Sequence, residues 1–275
     1  MTWRVILLRK VIRMDCAIIG GTGFYSILER GYKEIKVKSR YGEAIVYEER
    51  KKGKGFFFLP RHGKGHHIPP HKINYRANMA ALKILKVERV LATFAVGSIN
   101  EKISPGTVVA IDQFIDFTSG RENTFFDGYQ TGVVHTEMNE PYCNNLKGNL
   151  IVSAPSYLDN IIERGVYVCT NGPRFETPAE ISMFAELGGD VVGMTGVPEV
   201  VLARELGIHY AAVAHSINWA AGIKDNIQIM EEGVNEKREA ILRLFIDVLK
   251  QPFTNSCECK SASMITHAPK EDFYL

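Results

Sequence analysis

The segment GPRFETPAE at 172–180 joins a Gly-Pro turn to an arginine, an aromatic ring and a carboxylate within five residues. GMTGVPE follows at 193–199, and GGTG (20–23) and PRHG (60–63) lie upstream. Glycine turns expose backbone N–H groups, Thr22 and Thr195 add hydroxyls, and Arg61 brings a fixed fork of donors, which together suit a tetrahedral oxyanion. An aromatic side chain beside a carboxylate, as in Phe175-Glu176, suits a planar heterocycle with a hydrogen to donate. Gly20, Gly21 and Gly23 do not fit the G-x-G-x-x-G dinucleotide spacing, and alone they would serve equally well as an ordinary tight turn. Arg61-His62 taken alone reads as a surface ion pair. Its place at the end of the FFFLP strand, where open α/β sheets bind ligands, turns the reading toward a site.

The elements that must hold these residues follow from apolar patterning. Short continuous apolar runs at 15–21, 56–61, 90–97, 107–111, 166–170, 190–194 and 209–218 read as strands buried on both faces. Helices are expected at 71–86, 178–188, 198–206 and 231–250, punctuated by Pro178, Pro198, Gly188 and Gly207. Residues 31–50 read as two amphipathic strands around a glycine turn. Strands alternating with helices predict an α/β single-domain fold, a mixed, mostly parallel sheet flanked by helices. The organisation expected is an N-terminal extension (1–14, with Met14 directly before the first strand), one domain over 15–251, and a mobile tail over 252–275 carrying Cys257-x-Cys259.

Composition narrows the function. The 275 residues are 45% hydrophobic and 23% charged, as expected of a packed domain, and a net charge of +2 gives no footprint for nucleic acid or an anionic membrane. No run of 18 apolar residues occurs. Five irregularly spaced cysteines argue against a secreted disulfide framework and favour the cytoplasm. Cys16 and Cys169 read as small core hydrophobes. The Cys257–Cys259 pair could be redox-active, metal-binding or inert, because two thiols alone cannot complete a four-ligand zinc site. His62, His66, His67 and His71 form a metal-like run, yet no Cys or carboxylate completes a set there, so no metal is expected.

Together the four motifs resemble the trimeric purine nucleoside phosphorylase and methylthioadenosine phosphorylase family, over about residues 15–250. The resemblance implies the nucleoside phosphorylase fold and phosphorolysis, with phosphate as co-substrate, no cofactor, and a homo-oligomer (trimer or dimer of trimers). It implies phosphate binding by Thr22, Arg61, His62, the backbone at Phe94 and Ala95, and Thr195. Phe94 departs from relatives with a small hydroxyl residue there. Met194 would lie under the ribose, and Phe175, Glu176 and Asn218 would hold the base, with Glu176, Asn218 and His62 as the catalytic set. Relatives acting on 6-aminopurines carry an Asp matching Asn218, a Ser matching Glu176 and an acidic residue matching Ala220, so this pocket resembles the 6-oxopurine type. An ungapped match puts Met230 at the 5′ position, beside Ile227 and Ile229, where apolar side chains suit a methylthio group. His135, with Met138 nearby, matches a residue reaching a neighbouring subunit's 5′ pocket. The leading expectation is therefore methylthioinosine phosphorolysis, followed by methylthioadenosine, then inosine or guanosine. A non-catalytic nucleoside binder on the same fold is the rival, although such a protein needs no phosphate clamp.

Overall fold

The computed structural model describes residues 15–21, 23–24, 32–49, 55–128, 131–224, 227–254 and 256–267. Thr22 and the expected extension at 1–14 lie outside the described residues.

The apolar runs become strands because continuous Val, Ile, Ala and Phe can be buried on both faces of a sheet. In chain order these are β1 (Cys16–Gly20), β2 (Lys33–Ser39), β3 (Gly42–Glu49), β4 (Phe56–Pro60), β5 (Arg89–Ser98), β6 (Val108–Ala110), β7 (Gln113–Asp116), β8 (Val133–Thr136), β9 (Val166–Cys169), β10 (Val191–Gly193), β11 (His209–Trp219) and β12 (Ser263–His267). The helices are α1 (Tyr75–Ile84), α2 (Asn144–Ser153), α3 (Pro178–Glu186), α4 (Gly196–Glu205) and α5 (Val234–Lys250). The main sheet runs β2-β3-β4-β1-β5-β10-β9-β7, and β11 pairs with β5 and β6. Pairs β1–β4, β1–β5, β5–β11, β9–β10 and β7–β9 are parallel. The β2–β3 hairpin, β3–β4, β5–β10 and β6–β11 are antiparallel. The fold is thus the expected single-domain, largely parallel α/β arrangement.

Alternate residues of the central strands feed two cores. Val90, Ala92, Phe94 and Val96 of β5 pack with Ala212 and Ala214 of β11 on one face, while Leu91, Ala211 and Val213 face α5 on the other. Helix α5 presents Ile241, Leu244, Phe245 and Val248 to that second core, an i, i+3, i+4, i+7 stripe.

Three departures from expectation have local causes. The expected helix at 71–86 opens as a short 3-10 turn at Pro70–Lys72, and α1 starts afresh where Asn74 Oδ1 accepts from the Ala77 amide at 3.0 Å. Helix α2 carries only Leu146 and Leu150 as buried residues and contains Gly148, so its pattern was too weak to read. After Pro252, the described residues 253–254 and 256–267 pack against the domain. Strand β12 pairs antiparallel with β8, and Asn145 donates to the Thr254 carbonyl at 3.0 Å and to Ser256 Oγ at 2.7 Å.

Candidate active site

One cavity of roughly 470 Å³ collects most of the residues singled out in the sequence: Arg61, His62, Phe94, Ala95, Phe175, Glu176, Met194, Thr195, Asn218 and Ala220. It forms where β4, β5 and β11 end and where the segments after β9 and β10 turn back. That is the carboxyl edge at which open α/β sheets bind ligands.

Arg61 is fully buried, and its guanidinium is held from two sides. Nε and Nη2 each donate to a Glu199 carboxylate oxygen at 2.7 Å, and Nη1 donates to the Thr93 carbonyl at 3.0 Å. Tyr210 donates to Glu199 Oε1 at 2.6 Å. Burial, then the Glu199 charge, pushes the Tyr210 phenol well above its ordinary value, so it remains a donor. Burial alone would lower the Arg61 pKa, but Glu199 outweighs it and holds the value above the ordinary one. Three of the five guanidinium hydrogens are thus committed, leaving two for a ligand. The Phe94 ring lies under the guanidinium, 5.0 Å from centroid to Cζ.

The protonation of His62 is set by its backbone neighbour. Its Nδ1 lies 2.8 Å from the Ile68 carbonyl, and because a carbonyl only accepts, Nδ1 carries the proton. Burial, reinforced by the Arg61 cation, lowers its pKa to about 4. Near neutral pH the ring is therefore uncharged, and Nε2 is an acceptor.

Thr195 precedes α4 and makes no side-chain capping bond to that helix. The backbone N–H groups of Thr195 and Gly196 both donate to Tyr167 Oη, at 3.1 and 3.3 Å. They are unavailable to an anion, so Thr195 can contribute through its hydroxyl. The kink at Val197 means that regular helix begins only at Pro198, the start expected from sequence.

On the other side of the cavity, Glu176 is buried and its Oε1 accepts from the Thr170 hydroxyl at 2.6 Å. With Oε1 so engaged, Oε2 is left for a ligand, and an ionised carboxylate there only accepts, as a ligand N–H requires. Glu176 does not cap α3: Thr177 does, in a reciprocal capping box with Glu180. Arg174, the arginine of the GPRFETPAE motif, is spent on that cap, donating to Glu180 at 2.7 and 2.9 Å. Phe175 is half exposed at the cavity rim. Gly172 adopts φ +59, and a Cβ there would collide with Met194 Sδ, so glycine lets the loop close over the methionine.

A β-bulge aims Asn218. Ser216 faces Val96 and Asn218 faces Gly97, with Ile217 inserted between them. Asn218 Nδ2 donates to the Trp219 carbonyl at 2.7 Å, and a Cβ on Gly97 would sit 3.0 Å from that nitrogen.

One residue expected at the 5′ position of this chain's own pocket falls elsewhere. Met230 does not line the cavity. Its backbone N–H bonds to the Ile217 carbonyl at 2.7 Å and its side chain lies over Gly106, whereas Ile227 and Ile229 face the cavity. The ungapped match missed the set of the chain after the bulge by one to three positions. His135 is exposed on β8, opposite Met264 of β12, and does not line the cavity.

Sequence reasoning also missed residues that hold the site together. Glu199, Tyr210, Thr170 and Tyr167 are described above. Arg121 donates to the carbonyls of Thr170, Asn171 and Met194 at 3.2, 3.1 and 2.8 Å, tying the segment after β9 to the one after β10. Glu199 alone had a signal, as the last residue of GMTGVPE.

The family model described as Phosphorylase superfamily matches residues 15–250. The chain belongs to the phosphorylase superfamily. Among its relatives, a protein of Moorella thermoacetica named as a probable 6-oxopurine nucleoside phosphorylase is 46% identical over 91% of this chain and 98% of its own length. A protein of Methanothermobacter thermautotrophicus named as a probable S-methyl-5′-thioinosine phosphorylase is 45% identical over 89% of this chain and 87% of its own. Adenosine/methylthioadenosine phosphorylase from Schistosoma mansoni, solved as a double mutant with adenine, superposes with a TM-score of 0.79 at 35% identity, covering 86% of this chain and 91% of that one.

Proposed function

We propose that this superfamily member cleaves 5′-methylthioinosine with phosphate, releasing hypoxanthine and 5-methylthioribose 1-phosphate. The observation that carries the reading is the Thr170–Glu176 hydrogen bond. It leaves Oε2 of the carboxylate to accept from the N1–H of a 6-oxopurine, whereas adenine has no hydrogen at N1. Relatives named for 6-oxopurine nucleosides and for methylthioinosine support the same base class. The 5′ group is read from Ile227 and Ile229, which offer no hydrogen bond to a hydroxyl and gain by covering a thioether.

In this reading phosphate lies between Arg61 and Thr195, with the Ala95 backbone and Thr22 completing its shell. Neutral His62 accepts from the protonated phosphate oxygen through Nε2 and turns an unprotonated oxygen toward C1′. As that oxygen attacks, the C–N bond breaks through an oxocarbenium-like state, the phosphate charge beside the cation. Met194 covers the ribose. Asn218 donates to the departing base and Glu176 holds its N1–H, so charge built on the purine meets fixed dipoles. No covalent enzyme intermediate forms. The working unit is a homotrimer or dimer of trimers in which His135 serves a neighbour's 5′ pocket, and light scattering of the purified protein tests that assembly.

A second reading, a general inosine/guanosine phosphorylase, is favoured by Ile229, which at 54% exposure leaves the 5′ side open. Chromatography of reactions with and without phosphate tests the proposal. Hypoxanthine must be released from methylthioinosine only when phosphate is present; release without phosphate, or none at all, contradicts it.

A further inference from the structure

Away from the cavity, the segment after Pro252 brings its two cysteines to two groups of the domain body. Cys143 at the N-cap of α2, His209 at the first position of β11, Cys257 and Cys259 place their ligand atoms within 4.8 Å of one another. We propose that these four residues form a structural zinc site that fastens the C-terminal segment to the domain.

The geometry fits a tetrahedron. Zinc–sulfur bonds of about 2.3 Å and zinc–nitrogen bonds of about 2.0 Å put neighbouring ligand atoms about 3.5–3.8 Å apart. Cys143 Sγ lies 3.6 Å from Cys257 Sγ and 3.7 Å from His209 Nδ1, and Cys257 Sγ lies 3.1 Å from the same nitrogen. A disulfide would need about 2.05 Å, and all five cysteines are free thiols. The two thiols of the C-x-C pair do not make a site alone; the fold supplies the other two ligands.

The surroundings suit a thiolate-rich metal centre. Two zinc charges and three thiolates leave a net charge of −1, and Arg204 Nη1 lies 3.7 Å from Cys259 Sγ to balance it. The Leu146 amide, at the start of α2, donates to Cys143 Sγ at 3.5 Å, a contact that favours the deprotonated sulfur. Phe253 packs edge-on against the His209 ring at 4.8 Å. Cys143, His209 and Cys259 are buried. Four protein ligands leave no open position, so the site is structural rather than catalytic, and none of the four lines the substrate cavity. Three sulfurs and one imidazole select zinc over hard cations. The metal would hold the segment leading into β12, and through β12 the strand β8 that carries His135.

The test uses the full chain purified under reducing conditions. Elemental analysis should find one zinc per chain in the wild type, and cobalt exchange should give the thiolate-to-cobalt absorption of a tetrahedral site. Cys257→Ser/Cys259→Ser should lose both signals while still releasing base from nucleoside, and Cys16→Ser should keep both. Should the double variant not fold, the cobalt spectrum of the wild type decides. Substoichiometric zinc with no thiolate absorption in the folded wild type overturns the proposal, as does peptide mapping that finds Cys257 disulfide-bonded to Cys143 or Cys259.

Discussion

Arg61 and Glu199 face each other through two parallel 2.7 Å hydrogen bonds, both side chains essentially inaccessible. The cation offered to phosphate is therefore aimed by a carboxylate that itself never reaches the cavity. Removing one partner of such a buried pair leaves an uncompensated charge, at a cost of about 3–5 kcal/mol. Glu199→Gln is expected to lower the unfolding free energy by roughly that amount in urea and to raise the KM for phosphate more than the KM for nucleoside. Unchanged stability would mean that Arg61 is neutralised in another way.

Asn218 and Glu176 are expected to separate in kinetics. Asn218 acts on charge that develops as the base leaves, so Asn218→Ala should lower kcat by about 10²–10³. Glu176→Ala removes a charge-assisted hydrogen bond present before and during reaction, worth about 1.5–3 kcal/mol, and should lower kcat/KM by roughly 10- to 100-fold. Equal effects on kcat from both variants would contradict the division of roles.

How far the site was legible depends on how local each signal is. Arg61, Glu176, Thr195 and Asn218 announce themselves by glycine, proline and strand ends close in sequence. Glu199 is 138 residues from Arg61, and only the meeting of β4 with α4 makes them partners. The same holds for the thiol cluster: Cys143 and Cys257 are 114 residues apart, so the C-x-C pair looked incomplete. The buried parallel strands were readable because continuous apolar runs have few alternatives. Helix α2 and strands β7 and β8 were not, being weakly patterned and half exposed, and neither was the five-residue β12. Met230 was misplaced because the stretch after the bulge has no periodicity to fix the count.

The His62 proton can be followed through stability. Its folded pKa of about 4 lies below the ordinary 6.5, so the unfolded chain binds more protons between those values and stability falls as pH drops through that window. Half-buried Glu205, raised to about 7 chiefly by desolvation, works in the opposite sense. The difference between wild type and His62→Gln isolates the histidine. From pH 7 to pH 5 the wild type should lose about 2 kcal/mol relative to the variant, read from paired denaturation curves. A constant difference would mean His62 is not held neutral.

The 5′ pocket makes a contrast between neighbours. Ile229→Ser should cut the preference for methylthioinosine over inosine by roughly 1 kcal/mol, about fivefold. Met230→Ala should leave that ratio unchanged, because Met230 packs over Gly106 instead. A large shift from Met230 and none from Ile229 would reverse the assignment.

The most direct measurement compares kcat/KM for phosphate-dependent cleavage of methylthioinosine, inosine and methylthioadenosine by the same preparation. Methylthioinosine is expected to be the best of the three and methylthioadenosine the worst, because the free oxygen of the Glu176 carboxylate suits an N1–H that adenine lacks. A preference for methylthioadenosine would contradict the 6-oxopurine pocket.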